Sequence, residues 1–340
     1  MSTKAVRAAG LKLRALAPRD LAEVIAIDAA LSGRTRGAYF ERRLAAAQRR
    51  PELHAQLAVD EDGALAGFVL ARMMQGEFGR TEPALRLEVI GVKRAAQSRG
   101  LGAALGAALE ADARRRGVRE LRTAAVWRHH AMLKFLDAQG WALGRNFVLE
   151  CTLADSPLGS AGEAPVGAPQ RERAPADRND YGAAAPNDFE TLARDTAEVR
   201  SLAASDADDI ARIDRRVTGR ERRAYIEARL EEALMDAALR LSLVARLEGT
   251  AAGFLMASAD YGDFGRAEPA AIIDTVGVDP NFARRGVGRA MLSQFFFNLG
   301  ALGIERVETV VGPGNPDLFG FLDAAGFRPG ERLAFVKRLP

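Results

Sequence analysis

Gln97-Ser98-Arg99-Gly100-Leu101-Gly102 follows the apolar run Leu87-Glu88-Val89-Ile90-Gly91-Val92 and opens an Ala/Leu-rich segment from Ala103 to Leu109. That order reads strand, glycine turn, helix. The chain holds a second copy, Ala283-Arg284-Arg285-Gly286-Val287-Gly288, after Ile272-Ile273-Asp274-Thr275-Val276-Gly277-Val278. A glycine turn entering a helix presents several backbone N–H groups at the positive end of the helix dipole. Glycine permits positive φ and removes the side chain that would block a close ligand. Such a turn suits a phosphate or pyrophosphate. It lacks the Gly-Lys-Ser/Thr ending of a triphosphate loop, and Leu105 and Met291 stand where a dinucleotide fingerprint has its third glycine. A single GxG turn is equally an ordinary tight connection, so the weight rests on its repetition.

The repetition extends along the chain. An offset of 186 positions maps Gly100 onto Gly286, Arg14 onto Arg200, Asp28 onto Asp214 and Tyr39 onto Tyr225. It also maps Gly67-Phe68 onto Gly253-Phe254, Phe78-Gly79-Arg80 onto Phe264-Gly265-Arg266, and Gly140-Trp141 onto Gly326-Phe327. A period this long means duplicated domains; a solenoid would repeat far sooner. The expected division is 1–153, a linker at 154–195, and 196–340. The linker holds five prolines among small and charged residues and almost no large apolar side chain. It cannot bury enough surface to offset ordering, so it is read as a flexible tether.

Composition narrows the class. A chain of 340 residues, 48% hydrophobic and 27% charged, fits two globular domains. The net charge of +3 is too small to point to nucleic acid, and no basic stripe with interleaved aromatics is present. Cys151 stands alone, which excludes an intrachain disulfide, and with only three histidines a structural zinc is not expected. No apolar run reaches spanning length and no signal-peptide core is seen, so a cytoplasmic protein is expected, away from membranes.

Within each copy the pattern reads strand, two helices, three strands, helix, strand, helix, strand, strand. For the first copy this gives a strand at Leu11–Leu16 and helices from Pro18 and from about Ala38. A hairpin follows at Leu53–Asp60 and Ala64–Met74, then the strand Ala84–Val92 and the helix from Leu101. The strand Leu121–Val126 and the helix His130–Gln139 precede two final strands. This order, with Gln/Arg-x-x-Gly-x-Gly/Ala in the turn, resembles the GNAT family of acetyltransferases. The first copy matches in full at Gln97, Gly100 and Gly102; the second keeps Gly286 and Gly288 but has Ala283 first. The resemblance covers both halves, all but the linker and extreme termini.

The resemblance implies an α/β fold of two domains, each a mixed, splayed central sheet flanked by helices, with acetyl-CoA as co-substrate. It assigns cofactor binding to Val92, Gln97, Ser98, Arg99, Gly100, Leu101 and Gly102. In the second half the set is Val278, Arg284, Arg285, Gly286, Val287 and Gly288, with Asn315 early in the last helix; His129 stands there in the first. A backbone N–H near Val92 or Val278 is the implied oxyanion donor. Glu88 and Asp274, one acid in each central strand, are candidate general bases; the alternative is an acid paired with a nearby arginine. The family's usual proton-donating Tyr is absent, with Leu136 and Leu322 in its place. Tyr39 or Tyr225 is a substitute donor, or the thiolate leaves unaided. The repeated Asp28, Arg34 and Tyr39 (Asp214, Arg220, Tyr225) lie where the family has its acceptor-binding segment, and alternatively read as an Asp–Arg clamp on the helix-helix loop. Trp127 and Trp141 read as core or cleft-lining aromatics.

The expected activity is direct acetyl transfer to a primary amine, on a small molecule or a protein lysine, with no covalent acyl-enzyme. The halves are expected to pack as an intrachain pseudo-dimer or to hang on the linker. A non-catalytic acyl-CoA-binding protein, or one working half beside a structural one, remain open.

Overall fold

A computed structural model of the chain describes residues 11–74, 82–159, 193–235, 241–260 and 269–340. Its first half runs β1 (Leu11–Ala15), α1 (Leu21–Ser32), α2 (Gly37–Arg49), β2 (His54–Glu61), β3 (Ala64–Met74) and β4 (Ala84–Val92). It continues with α3 (Leu101–Arg115), β5 (Glu120–Val126), α4 (His130–Ala138), β6 (Ala142–Leu143) and β7 (Phe147–Thr152). The second half repeats the order: β8 (Glu198–Ser201), α5 (Ala207–Thr218), α6 (Arg223–Met235), β9 (Leu243–Leu247), β10 (Thr250–Asp260) and β11 (Ala270–Val278). Then come α7 (Val287–Ala301), β12 (Arg306–Val311), α8 (Pro316–Ala324), β13 (Arg328–Pro329) and β14 (Arg332–Arg338). The turns at Phe78-Gly79-Arg80 and Phe264-Gly265-Arg266, and residues 160–192 of the expected linker, lie outside the described residues.

The repeated Arg14 and Arg200 have a local task. Each guanidinium grips an aspartate, Asp20 or Asp206, that also accepts the backbone N–H at the start of the following helical turn. The Arg14 hydrogen bond holds the Asp20 carboxyl below the usual range against its burial. The strand-to-helix corner is thereby fixed by charge-assisted bonds.

Each sheet has two differently covered faces. In the first half Leu85, Leu87 and Leu121 of the sheet pack against Leu105 of α3 and Leu136 of α4, while Phe68 and Val89 pack against Val24 of α1 and Phe40 of α2. The second half is built alike, with Phe295 and Phe296 filling its α7 side.

The two halves are not separate beads. Strand order in the first sheet is β1-β2-β3-β4-β5-β14-β6, and in the second β13-β7-β12-β11-β10-β9-β8. Each half therefore gives its last strand to the other. β14 pairs along β5 from Arg332↔Val126 to Arg338↔Glu120, and β7 along β12 from Phe147↔Val311 to Thr152↔Arg306. The crossings are symmetric: Gly144 N–H donates to Ala334 O (2.8 Å) and Gly330 N–H to Val148 O (2.9 Å). Leu149 and Cys151 join the second core, Phe335 and Leu339 the first. The division at 153 thus describes the sequence but not the packing. The ends of the expected linker also belong to the fold: Leu158 and Ala193 are buried in the second core, and Ser156 Oγ donates to Ala325 O (2.8 Å).

Candidate functional site

Both glycine turns have the same backbone. Ser98 and Gly100 take φ of 61° and 89°, Arg284 and Gly286 φ of 61° and 81°. Left-handed residues alternating with ordinary ones fold successive N–H groups into one concavity, at the N-terminus of a 15-residue helix. Ser98 and Arg284 hold a conformation that disfavours side chains, and hold it twice, which is the pattern of strain kept at a working site. The second glycine of each turn has a structural reason as well. A Cβ on Gly102 would meet the Phe135 ring at 3.1 Å, and one on Gly288 the Phe321 ring at 3.0 Å, so α3 and α7 rely on it to pack against α4 and α8. Gly286 likewise faces Thr196. Arg99 and Arg285 are exposed beside the turns, ion-paired to Glu61 (2.7 Å) and Glu248 (2.6 Å).

Next to each turn the sheet opens. β4 pairs with β5 only at Leu85↔Leu121 and Arg86↔Arg122, and β11 with β12 only from Ala270↔Arg306 to Ile273↔Thr309. Thr123 Oγ1 donates to Leu87 O (2.9 Å) and Thr309 Oγ1 to Ile273 O (3.0 Å), clipping the strands where they part. Lys93 N–H donates to Ala66 O and Asp279 N–H to Ala252 O. Antiparallel alternation then turns the N–H of Val92 and of Val278 away from β3 and β10, toward the opening. The Gln97 side chain donates to Val92 O (3.1 Å), tying the turn to the strand end; Ala283 has no amide to do this.

The two acids occupy bulges. Leu70 pairs with Val89 but Ala71 with Leu87, and Met256 with Thr275 but Ala257 with Ile273. Glu88 and Asp274 are the extra residues. A bulge resets the in-out alternation and re-aims a side chain. Both acids are buried and each meets an arginine from the second helix of its own half: Glu88 meets Arg43, Asp274 meets Arg229. Ser258 Oγ also donates to Asp274 Oδ2 (3.2 Å).

These pairs converge between the halves. A cavity of about 210 Å³ takes Tyr39, Arg43 and Glu88 from one half and Arg229, Glu232 and Asp274 from the other. Glu232 on α6 bridges Arg229 on its own helix and Arg72 on β3 of the first half. A second cavity of about 690 Å³ adjoins it through Arg86 and Asp274, walled by β5, β14 and the Gly144–Asn146 crossing. Burial, reinforced by Arg43 and Arg72, pushes the His54 imidazole in the first cavity down to about 3.

The sequence matches the acetyltransferase (GNAT) family twice, at residues 23–141 and 207–327. The chain belongs to that family. Solved structures with the same fold include a tandem GNAT protein from the clavulanic acid biosynthesis pathway, 15% identical over 96% of this chain and 98% of that one (TM-score 0.61). A GCN5-related N-acetyltransferase from Sphaerobacter thermophilus is 16% identical over 96% and 95% (TM-score 0.54). A GCN5-related glucosamine N-acetyltransferase region of a fungal multi-domain β-N-acetylglucosaminidase is 14% identical over 97% of this chain (TM-score 0.61), and the match spans 38% of that longer chain. No curated protein matches in sequence.

In this tandem GNAT chain several expected residues lie elsewhere or do other work. The Asp–Arg clamp exists, but Arg36 and Arg222 form it with Asp28 and Asp214; Arg34 and Arg220 are exposed. The expectation chose the wrong arginine because the loop turns Arg36 inward, over the Tyr39 and Phe40 rings. Tyr39 lies in the cavity wall between the Arg36 and Arg43 guanidiniums, whereas Tyr225 packs into the α5–α6 core. Asn315 caps α8, its Oδ1 accepting from Leu318 N (3.1 Å). Leu136 and Leu322 are fully packed. Burial pushes the Cys151 thiol up to about 11. Trp141 is core, while Trp127 is half exposed against Arg128. Sequence reasoning missed Arg43, Arg229, Arg72, Glu232 and His54. The repeat offset, which carries Arg43 onto Arg229, was the available signal for the first two.

Proposed function

We propose that the protein is an acetyl-CoA-dependent N-acetyltransferase acting directly on a primary amine. The observation that carries this reading is the coincidence, twice, of a strained glycine turn, an opened strand pair and a bulged carboxylate. Acetyl-CoA brings an activated acyl thioester. The N–H groups of residues 97–102 and 284–288 suit its pyrophosphate, with Arg99 and Arg285 beside them. The N–H of Val92 or Val278, preset toward the opening, is the donor for charge developing on the acyl oxygen.

Glu88 meets Arg43 through Oε1, so the amine is expected at the other oxygen, giving up its proton there directly or through a water. Asp274 has the same task in the second half. Tyr39, which lines the cavity, is the tyrosine placed to return a proton, although a thiol is acidic enough to leave without one. A buried, protonated Cys151 is no nucleophile, which supports transfer without an acyl-enzyme.

The test is acetyl-CoA calorimetry on the wild type, Arg99→Glu and Arg285→Glu. Both side chains are exposed, so charge reversal leaves the fold intact. Two sites, each weakened at least ~10-fold in one variant, are expected. A single site lost in one variant identifies the working half, and no binding overturns the reading. The ion-paired state of both acids also favours a second reading, a binder without turnover. Consumption of acetyl-CoA with excess amine eliminates it.

A further inference from the structure

We propose that the acceptor is a small amine that also carries an anionic group, carboxylate or phosphate, and that it binds between the halves against residues of both. This inference rests on the acetyltransferase reading and names its substrate class.

The charge of the cavity comes first. Seven arginines (42, 43, 49, 50, 72, 86 and 229) stand against three carboxylates, Glu88, Glu232 and Asp274. Each of the three already holds an arginine, and Arg50 also meets Glu52 and Glu231 beyond the wall, so arginines still outnumber carboxylates around the cavity. The adjoining cavity adds Arg122, Arg145 and Arg338 against Glu120. Clefts lined by one sign of charge between low-dielectric walls focus their field on a ligand of the other sign.

Two groups on the wall, buried His54 and half-buried Glu232, report that field. His54 is kept neutral, by burial and then by the Arg43 and Arg72 charges. Glu232 is pushed up by burial, yet Arg72 and Arg229 hold it below the usual carboxylate range. In addition, Arg43 Nε is buried with no hydrogen-bond partner. A buried donor left unpaired is unfavourable, and a ligand oxygen would satisfy it.

Geometry sets the size and the dual ownership. The cavity of about 210 Å³ equals roughly seven waters at ~30 Å³ each, enough for an amino-acid-sized group. Arg72 comes from β3 of the first half and Arg229 from α6 of the second, and Glu232 joins them. A carboxylate or phosphate entering here takes planar guanidinium donors from both halves, a match that arginine suits better than lysine. The same field favours the neutral, reactive form of the amine, since neighbouring cations disfavour an ammonium. The anionic group then supplies the attraction that the amine alone cannot. A lysine on a basic protein segment is the acceptor least suited to this wall.

The full-length protein is tested with matched amines: β-alanine against β-alaninamide, phosphoethanolamine against ethanolamine, and a basic lysine peptide. Two readouts are taken, acetyl-CoA consumption and the His54 ring signals by NMR without acetyl-CoA, assigned with His54→Gln. The anionic member of a pair is expected to have at least a tenfold higher kcat/KM and to shift His54; which pair responds distinguishes carboxylate from phosphate. Arg72→Gln and the milder Arg72→Lys should narrow that ratio chiefly through KM. Equal or better use of the neutral amines or the peptide overturns the proposal while leaving acetyl transfer standing. A His54 shift with anionic amines and no acetyl-CoA consumption supports the anion site and removes the transferase reading. Silence in both readouts overturns both.

Discussion

At Glu88 and Asp274 the backbone decides the chemistry. Strict alternation along β4 would send residue 88 to the face opposite Leu87 and return Val89 to the Leu87 face. The bulge instead keeps Val89 with Glu88 on the α1–α2 side. Glu88→Gln and Asp274→Asn are expected to lower kcat by ~10²-fold or more in the half concerned. Steady-state rates with the melting temperature as a control check this. The acids were legible in the sequence as charges inside apolar runs. Their arginine partners were not, because a residue on α2 meets one on β4 only through tertiary packing. His54 gives a pH prediction. Its imidazole is neutral in the folded protein down to about 3, whereas the unfolded chain takes a proton near pH 6.5. The stability it allows is complete above ~6.5 and falls as pH drops toward ~3. At pH 5 the loss is about 2 kcal/mol. Glu232, Asp20, Asp206 and Asp279 are all held below their ordinary values, so their contributions fade at lower pH. Urea unfolding at pH 7 and pH 5 should show the drop, and His54→Gln should flatten it.

At the scale of elements, the helix-helix corner of each half depends on one buried ion pair. Asp28 and Arg36 are both nearly inaccessible, as are Asp214 and Arg222. Removing the acid strands a guanidinium in the core, so Asp28→Ala or Asp214→Ala should destabilise by about 3–5 kcal/mol. Chemical denaturation measures it, and Arg34→Ala, at an exposed site, serves as the near-neutral comparison. The elements themselves were legible. β3 and β4 run over Ala64–Met74 and Ala84–Val92 as the apolar runs and their breakers indicate. α3 likewise starts at the residue after the Gly100 turn. The destination of the final strands was hidden. β7 and β14 each carry apolar residues that suit either sheet, and local pattern does not encode which of two equivalent slots a strand fills.

For the whole molecule, the exchange of β7 and β14 makes folding a joint event. Each sheet lacks an interior strand without the other half, and Arg332 on β14 is buried against Glu308 of the second half (3.2 Å) and Ala124 O of the first (2.8 Å). Fragments 1–175 and 176–340, co-expressed, should purify as a one-to-one complex that separates only on unfolding. Fragment 1–175 alone should be a dimer, its own β7 filling the vacant slot of a second copy. Size-exclusion chromatography with light scattering checks both, and a stable monomeric fragment would contradict the joint fold. The duplication was legible from the offset of 186, because repeated residues need no structure to be counted.

The exchanged strands also bear on descent. A gene that duplicates a self-sufficient domain can later discard either copy and keep a working product. Here a deletion of the second copy would also excise the strand between β5 and β6 of the first. The two copies are therefore inherited as one unit, free to diverge in their glycine turns and acids but not to part.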